Sequence, residues 1–133
     1  MPAFSNRSRA KLDSCHRDLQ LICERVIAHY DFTVLEGYRS GDRQNELFRQ
    51  GKSKLKSGQS KHNSDPSRAV DIAPYPIDWD DTRRFYFLMG HIKQAAHDLG
   101  IKIRLGADWN GNNEFNDQTW HDLPHVELLD EEI

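Results

Sequence analysis

Ala69-Val70-Asp71-Ile72-Ala73-Pro74-Tyr75-Pro76, the segment from about Asp80 to Leu99, and Ile101-Lys102-Ile103-Arg104-Leu105 make a strand–helix–strand unit that decides the fold class. The first run is short and β-rich, and two prolines stop it. In the second, Phe85, Leu88, Met89, Ile92, Ala95, Ala96 and Leu99 recur every three or four residues, which predicts one long helix with a single apolar stripe ended by Gly100. The third alternates apolar and polar residues, as a half-buried strand does.

Outward from this unit, Leu12, Cys15, Leu19, Ile22, Cys23, Val26 and Ile27 predict one amphipathic helix, capped by Ser5 or Ser8. Phe32 to Arg39 reads as a strand, and Asp42 to Gln50 as a short helix stopped by Gly51. Residues 52–67 read as a loop, residues 107–118 as a polar loop, and Val126-Glu127-Leu128 as the last strand. The expected fold is a single α+β domain over residues 1–133, a small mainly antiparallel sheet flanked by helices.

Composition narrows the partners. A net charge of -3 and a pI near 6.1 argue against nucleic acid, which needs a basic face. Lys52-Ser53-Lys54-Leu55-Lys56, followed by Lys61, is the local exception and reads as a solvated loop. No segment approaches membrane-spanning length and the first residues lack the apolar run of a signal peptide, so the expectation is a chain made in a cytoplasm without stable membrane association. Cys15 and Cys23, about 12 Å apart if both lie on one helix, are expected as buried free thiols.

Three places carry chemistry. His62 stands in a Ser/Gly-rich loop, and Asp71 lies between Val70 and Ile72, where a carboxylate is costly to bury without a partner such as a metal, an arginine or backbone donors. Trp120-His121-Asp122-Leu123-Pro124-His125-Val126 brings two more histidines, His121 and His125, four residues apart. Pro124 rules out an unbroken helix there, so extended chain is expected to present His125 with Asp122 before it. Two histidines and one carboxylate leave a zinc position open for water, as in catalytic sites, and a further carboxylate can take that water's proton.

Ser60-Lys61-His62, Ala69-Val70-Asp71 and Asp122-Leu123-Pro124-His125-Val126-Glu127-Leu128 together resemble the zinc DD-peptidase family, which includes D-alanyl-D-alanine peptidases and the L-alanyl-D-glutamate peptidases that phages use as endolysins. Gly37-Tyr38-Arg39-Ser40, Ile72-Ala73-Pro74-Tyr75 and Leu105-Gly106-Ala107-Asp108-Trp109-Asn110 extend the likeness over about residues 32–129, nearest to the phage branch. The resemblance implies the hedgehog/DD-peptidase fold, zinc held by His62, Asp71 and His125, and Asp122 as general base. It also implies that Arg39 steadies the substrate carbonyl or the developing oxyanion and that Ser60 orients substrate at the rim. A salt bridge from Arg39 to Glu36 or Asp42 is the structural alternative. The gap from His62 to Asp71 is longer than the family's usual one, which puts Asp65 forward as a rival ligand, although Asp65-Pro66 reads more naturally as a turn.

The function this implies is a zinc endopeptidase cutting the L-alanyl-D-glutamate bond of peptidoglycan, a phage endolysin acting as a monomer in host lysis. It would be held in the host cytoplasm until a holin opens the way to the wall. The alternatives are a D-alanyl-D-alanine carboxypeptidase or dipeptidase, and a non-enzymatic zinc-binding module of the same fold, for which Asp122 would have no use. Asp108, Asn110, Asn112 and Glu114 alternate oxygen-bearing side chains as an EF-hand loop begins, so calcium is a candidate regulator. Asn113 and Thr119 depart from that pattern, help from Asn116 or Asp117 would be needed, and an Asx-rich turn is the competing reading.

Overall fold

The computed structural model describes residues 2–114 and 121–129. Its elements run α1 (Asn6–Asp13), α2 (Arg17–Ile27), β1 (Phe32–Glu36), α3 (Gly41–Arg49), a 3-10 turn (Lys61–Asn63), β2 (Ala69–Pro74), α4 (Thr82–Leu99), β3 (Ile103–Leu105) and β4 (His125–Leu128). The strands form one four-stranded sheet in the order β1-β2-β4-β3, antiparallel throughout. This is the α+β arrangement that the strand–helix–strand unit predicts.

The two sheet faces differ because side chains alternate along each strand. Phe32 and Val34, Val70 and Ile72, and Val126 and Leu128 point to one side. There they meet Leu12 of α1, Leu19, Ile22 and Val26 of α2, and Leu88, Met89 and Ile92 of α4, all buried. The α4 stripe is the predicted one, with Phe85 to Ala96 buried and Leu99 partly so. The opposite face carries Asp71 on β2 and His125 and Glu127 on β4, and is left to α3 and the loops.

The N-terminal segment departs from the single helix expected. Ser5 caps α1, but the chain breaks at Ser14–His16. Ser14 Oγ donates to Lys11 O and accepts from Tyr38 N. Backbone bonds then join His16 N to Ser67 O and Ser67 N to Ser14 O, and His16 Nδ1 caps α2 by accepting from Asp18 N. A partner more than fifty residues away thus takes the bonds a continuous helix would use; Cys15 stays buried either way, so the apolar period gives no sign of it. Both cysteines are free and buried, and burial pushes the Cys15 thiol up to about 12.

Candidate metal centre

Strand register assembles the site. β2 is an inner strand, so Asp71 has a neighbour on each side: His125 directly opposite on β4 and Glu36 opposite on β1. Glu36 reaches that position through a register shift between Val34 and Glu36, a bulge that re-aims one side chain without disturbing Val34 in the core. His62 comes from the 3-10 turn. Ser60 caps that turn, its Oγ accepting from His62 N at 3.2 Å, and Asn63 completes a capping box.

His62, Asp71 and His125 are the one group of metal-competent side chains among the described residues, their donor atoms all within 4.8 Å of one another. Asp71 Oδ1 lies 3.2 Å from His62 Nε2 and 3.2 Å from His125 Nδ1. The far side of each ring is fixed by an acceptor. His62 Nδ1–H donates to Gly37 O at 2.8 Å, and His125 Nε2–H donates to the Glu127 carboxylate at 2.9 Å. In a neutral imidazole those bonds leave His62 Nε2 and His125 Nδ1 as lone pairs aimed at the Asp71 oxygen. Three acceptors converging there repel one another unless a proton or a cation sits among them, so the donor set fits a divalent metal.

In the metal-free chain a proton answers the same need. Burial works against a charged His125, but its bonds to Asp71 and Glu127 outweigh this and raise it to about 9. Burial likewise opposes the Asp71 charge, yet the His125 and His62 bonds hold its carboxyl well below the usual carboxylate range. Glu127, also against burial, is lowered to about 2 by His125, Arg104 and Lys61.

The triad opens into a cleft of about 550 Å³ that Arg39, Ser60, Trp109 and Asp122 also line. Asp122 lies in the turn before β4: its N–H donates to Gly106 O at 3.0 Å and its carbonyl accepts from His125 N at 3.1 Å. A side chain on Gly106 would meet Asp122 O at 2.1 Å, so that close approach needs glycine. Burial raises the Asp122 carboxyl, and the Asp71 charge pushes the same way against His125, His62 and Arg39. Arg39 does form the salt bridge named as its alternative, donating to both Glu36 oxygens at 2.9 and 2.7 Å. It stays beside the site, with Asp71 Oδ2 at 3.6 Å.

Other sequence candidates fall away from the centre. Asp65 is exposed at the turn with Pro66, and His121 Nδ1 lies 3.2 Å from Tyr86 Oη. In the loop from Asp108 to Glu114, Asp108 is buried, its Oδ2 accepting from Asn113 N at 2.8 Å and facing Lys93 Nζ at 3.8 Å. Glu114 N donates to Asn112 Oδ1 at 2.9 Å, an Asx-turn bond, and Asn113 has φ 68. Asn116, Asp117, Thr119 and Trp120 lie outside the described residues.

Two functional features were not assigned from sequence. Glu127, 5% exposed, locks the His125 ring and is held by Arg104 at 2.9 Å and Lys61 at 3.4 Å. Its position two residues after His125 on a strand, hence on the same face, is the signal that could have found it. Gly37 O, which orients His62, has no signal in its side chain. A Cβ there would meet Lys11 O at 2.3 Å, so the same glycine lets β1's end pack on α1.

Both the sequence and the fold match known proteins. The family model for phage L-alanyl-D-glutamate peptidase matches residues 2–129. The L-alanyl-D-glutamate peptidase of Escherichia phage T5 is 35% identical over 135 aligned residues, covering 95% of this chain and 97% of the relative. The crystal structure of the Serratia marcescens L-Ala D-Glu endopeptidase ChiX superposes with a TM-score of 0.74 at 26% identity, covering 96% of this chain and 90% of that one. The chain therefore belongs to the phage L-alanyl-D-glutamate peptidase family.

Proposed function

We propose that the chain is a zinc endopeptidase that hydrolyses the L-alanyl-D-glutamate bond of peptidoglycan stem peptides and serves a phage as an endolysin. The observation that carries the reading is the convergence of His62, Asp71 and His125 beside Asp122, in a chain of this family. His62 Nε2, Asp71 and His125 Nδ1 would hold the metal. When bound, zinc supplies Lewis acidity and brings a water's pKa toward 7.

The protein's own groups do the rest. Asp122 accepts the proton of the attacking water and passes it to the leaving D-glutamyl nitrogen. It lines the cleft together with His62, Asp71 and His125, the placement a general base needs. Arg39, held by Glu36 and by Gln44 Oε1 at 2.9 Å, keeps a positive charge facing the cleft, where it stabilises charge developing on the carbonyl oxygen. Ser60 caps the turn bearing His62, and in this reading its position at the cleft also lets it orient substrate.

Among the described residues no helix is long and apolar enough to cross a membrane. In this reading the monomer waits in the host cytoplasm and reaches the wall through a holin lesion. Calcium enters as a regulator through Asp108, Asn110, Asn112 and Glu114. The left-handed Asn113 supports that role by supplying the turn an EF-hand glycine makes, while Lys93 would compete for Asp108.

The test is digestion of purified peptidoglycan by zinc-loaded protein, with mass spectrometry of the freed termini. New D-glutamyl N-termini, lost on chelation and in a His125→Ala variant depleted of zinc, are expected. Free D-alanine instead would assign a carboxypeptidase, and full zinc content in His125→Ala would overturn the ligand set.

A further inference from the structure

The basic stretch after α3 lies on the cleft. Its charge cannot be explained by the metal centre, where each cation lining the sheet side meets a carboxylate: Arg39 with Glu36 and Asp71, Arg104 and Lys61 with Glu127. The opposite wall is built from α3 and residues 52–55. Arg43 and Lys52 are among the residues that line it, and among the described residues no acidic side chain of that wall does. Glu46, within Coulombic reach of Arg43, is bonded to Arg49 and Gln50.

This wall is held in place, unlike a freely solvated loop. Gln44, 0% exposed, donates from Nε2 to Ser53 Oγ at 2.9 Å and to Leu55 O at 2.7 Å, while its Oε1 accepts from Arg39. Lys52 N and Ser53 N both donate to Leu47 O, and Ser57 N donates to Asn45 Oδ1 at 2.8 Å. One buried amide therefore couples the arginine beside Asp71 to the backbone that carries the lysines. Burying a polar side chain is stabilising only when its bonds are met, and here they are met by the wall itself.

The substrate of the reading above has a matching asymmetry. A glutamyl residue carries two carboxyl groups and only one continues the chain, so a free carboxylate hangs a few bonds from the scissile nitrogen on the D-glutamyl side. The L-alanyl side chain is a methyl. We propose that Arg43 and Lys52 read this carboxylate, fixing which end of the substrate lies against α3 and favouring the free acid over its carboxamide. The inference rests on the L-alanyl-D-glutamate assignment.

The experiment compares two synthetic peptides, identical except that the free D-glutamyl carboxyl is an acid in one and a primary amide in the other. The purified zinc-loaded full chain is used. An exposed ion pair is worth up to about 1 kcal/mol, so the acid should be favoured about fivefold in kcat/KM for each such contact. The difference should lie in KM and shrink as salt rises. Arg43→Gln and Lys52→Gln should each bring the ratio toward one, and Lys52→Glu should invert it; both side chains are exposed, so the core is untouched. Cleavage of both peptides at equal rates by the wild type, or an undiminished ratio in the Arg43→Gln/Lys52→Gln double variant, would overturn the carboxylate-reading wall and leave the bond assignment standing. Cleavage of neither peptide by the wild type would overturn the bond assignment and the wall with it.

Discussion

Replacing Glu127 should weaken zinc binding although it would not touch the metal. Its carboxylate accepts from Nε2–H, the one ring N–H that a neutral His125 has left once Nδ1 is turned to Asp71, at 2.9 Å and in a buried setting. Such outer partners fix ring orientation and raise basicity, and their loss typically lowers metal affinity about 10- to 100-fold, or about 1.4–2.7 kcal/mol. Glu127→Ala should fall in that range. Glu127→Gln keeps an acceptor for His125 and loses only the charge, so its loss should stay below about tenfold.

Stability supplies the control for that argument. Arg104 is about two-fifths exposed and Lys61 about a quarter, so both regain water when Glu127 goes, and each pair contributes at most about 1 kcal/mol. The stranded His125 donor adds about 1–3 kcal/mol in the alanine variant alone. Zinc affinity would be measured by competition with a chromogenic chelator, and the metal-free stability by urea unfolding. Zinc affinity in Glu127→Ala within about twofold of wild type would refute the orienting role. Equal losses in both variants would show that the charge matters and the hydrogen bond does not.

Asp122→Ala should keep its zinc, measured by metal analysis, and lose about 10²–10⁴-fold in turnover; loss of zinc would make Asp122 a ligand, and wild-type rates would end its role as base. For the metal-free protein, the His125–Glu127 pair gives opposite pH limits. His125 is raised when folded, so its contribution is complete below about pH 6.5 and lost as pH climbs through about 9. Glu127 is lowered, so its contribution is complete above about pH 4.5 and lost as pH falls through about 2. Urea titrations should therefore show the gap between wild type and Glu127→Ala widest near pH 5–6, and a pH-independent gap would contradict the pairing. Calorimetric titration of zinc-loaded protein with calcium should give binding heat that grows in Lys93→Met, where the competing ammonium facing Asp108 is gone. No heat at millimolar calcium in either protein would leave the Asx turn as the whole account of that loop.

What could be read in the sequence, and what could not, divides by the range of the interaction. The α4 stripe from Phe85 to Leu99 was legible because a helix repeats its own geometry, and Asp71 because a charge between Val70 and Ile72 contradicts its surroundings. Extended chain at His125 followed from Pro124. The α1–α2 break was hidden because its cause is Ser67, far along the chain, and Cys15 is apolar and buried under either geometry. The salt bridge to Glu36 appeared only as one of two partners for Arg39, since choosing Glu36 over Asp42 requires the bulge that sets Glu36 opposite Asp71. The 52–56 lysines show the same limit most sharply. Their composition is that of any solvated loop, and it is Gln44, a residue with no distinctive local pattern, whose side chain ties that loop to the Arg39 guanidinium and so to the candidate metal centre. Where a polar side chain in the middle of a helix is fully buried, its partners rather than its neighbours in sequence carry the functional information.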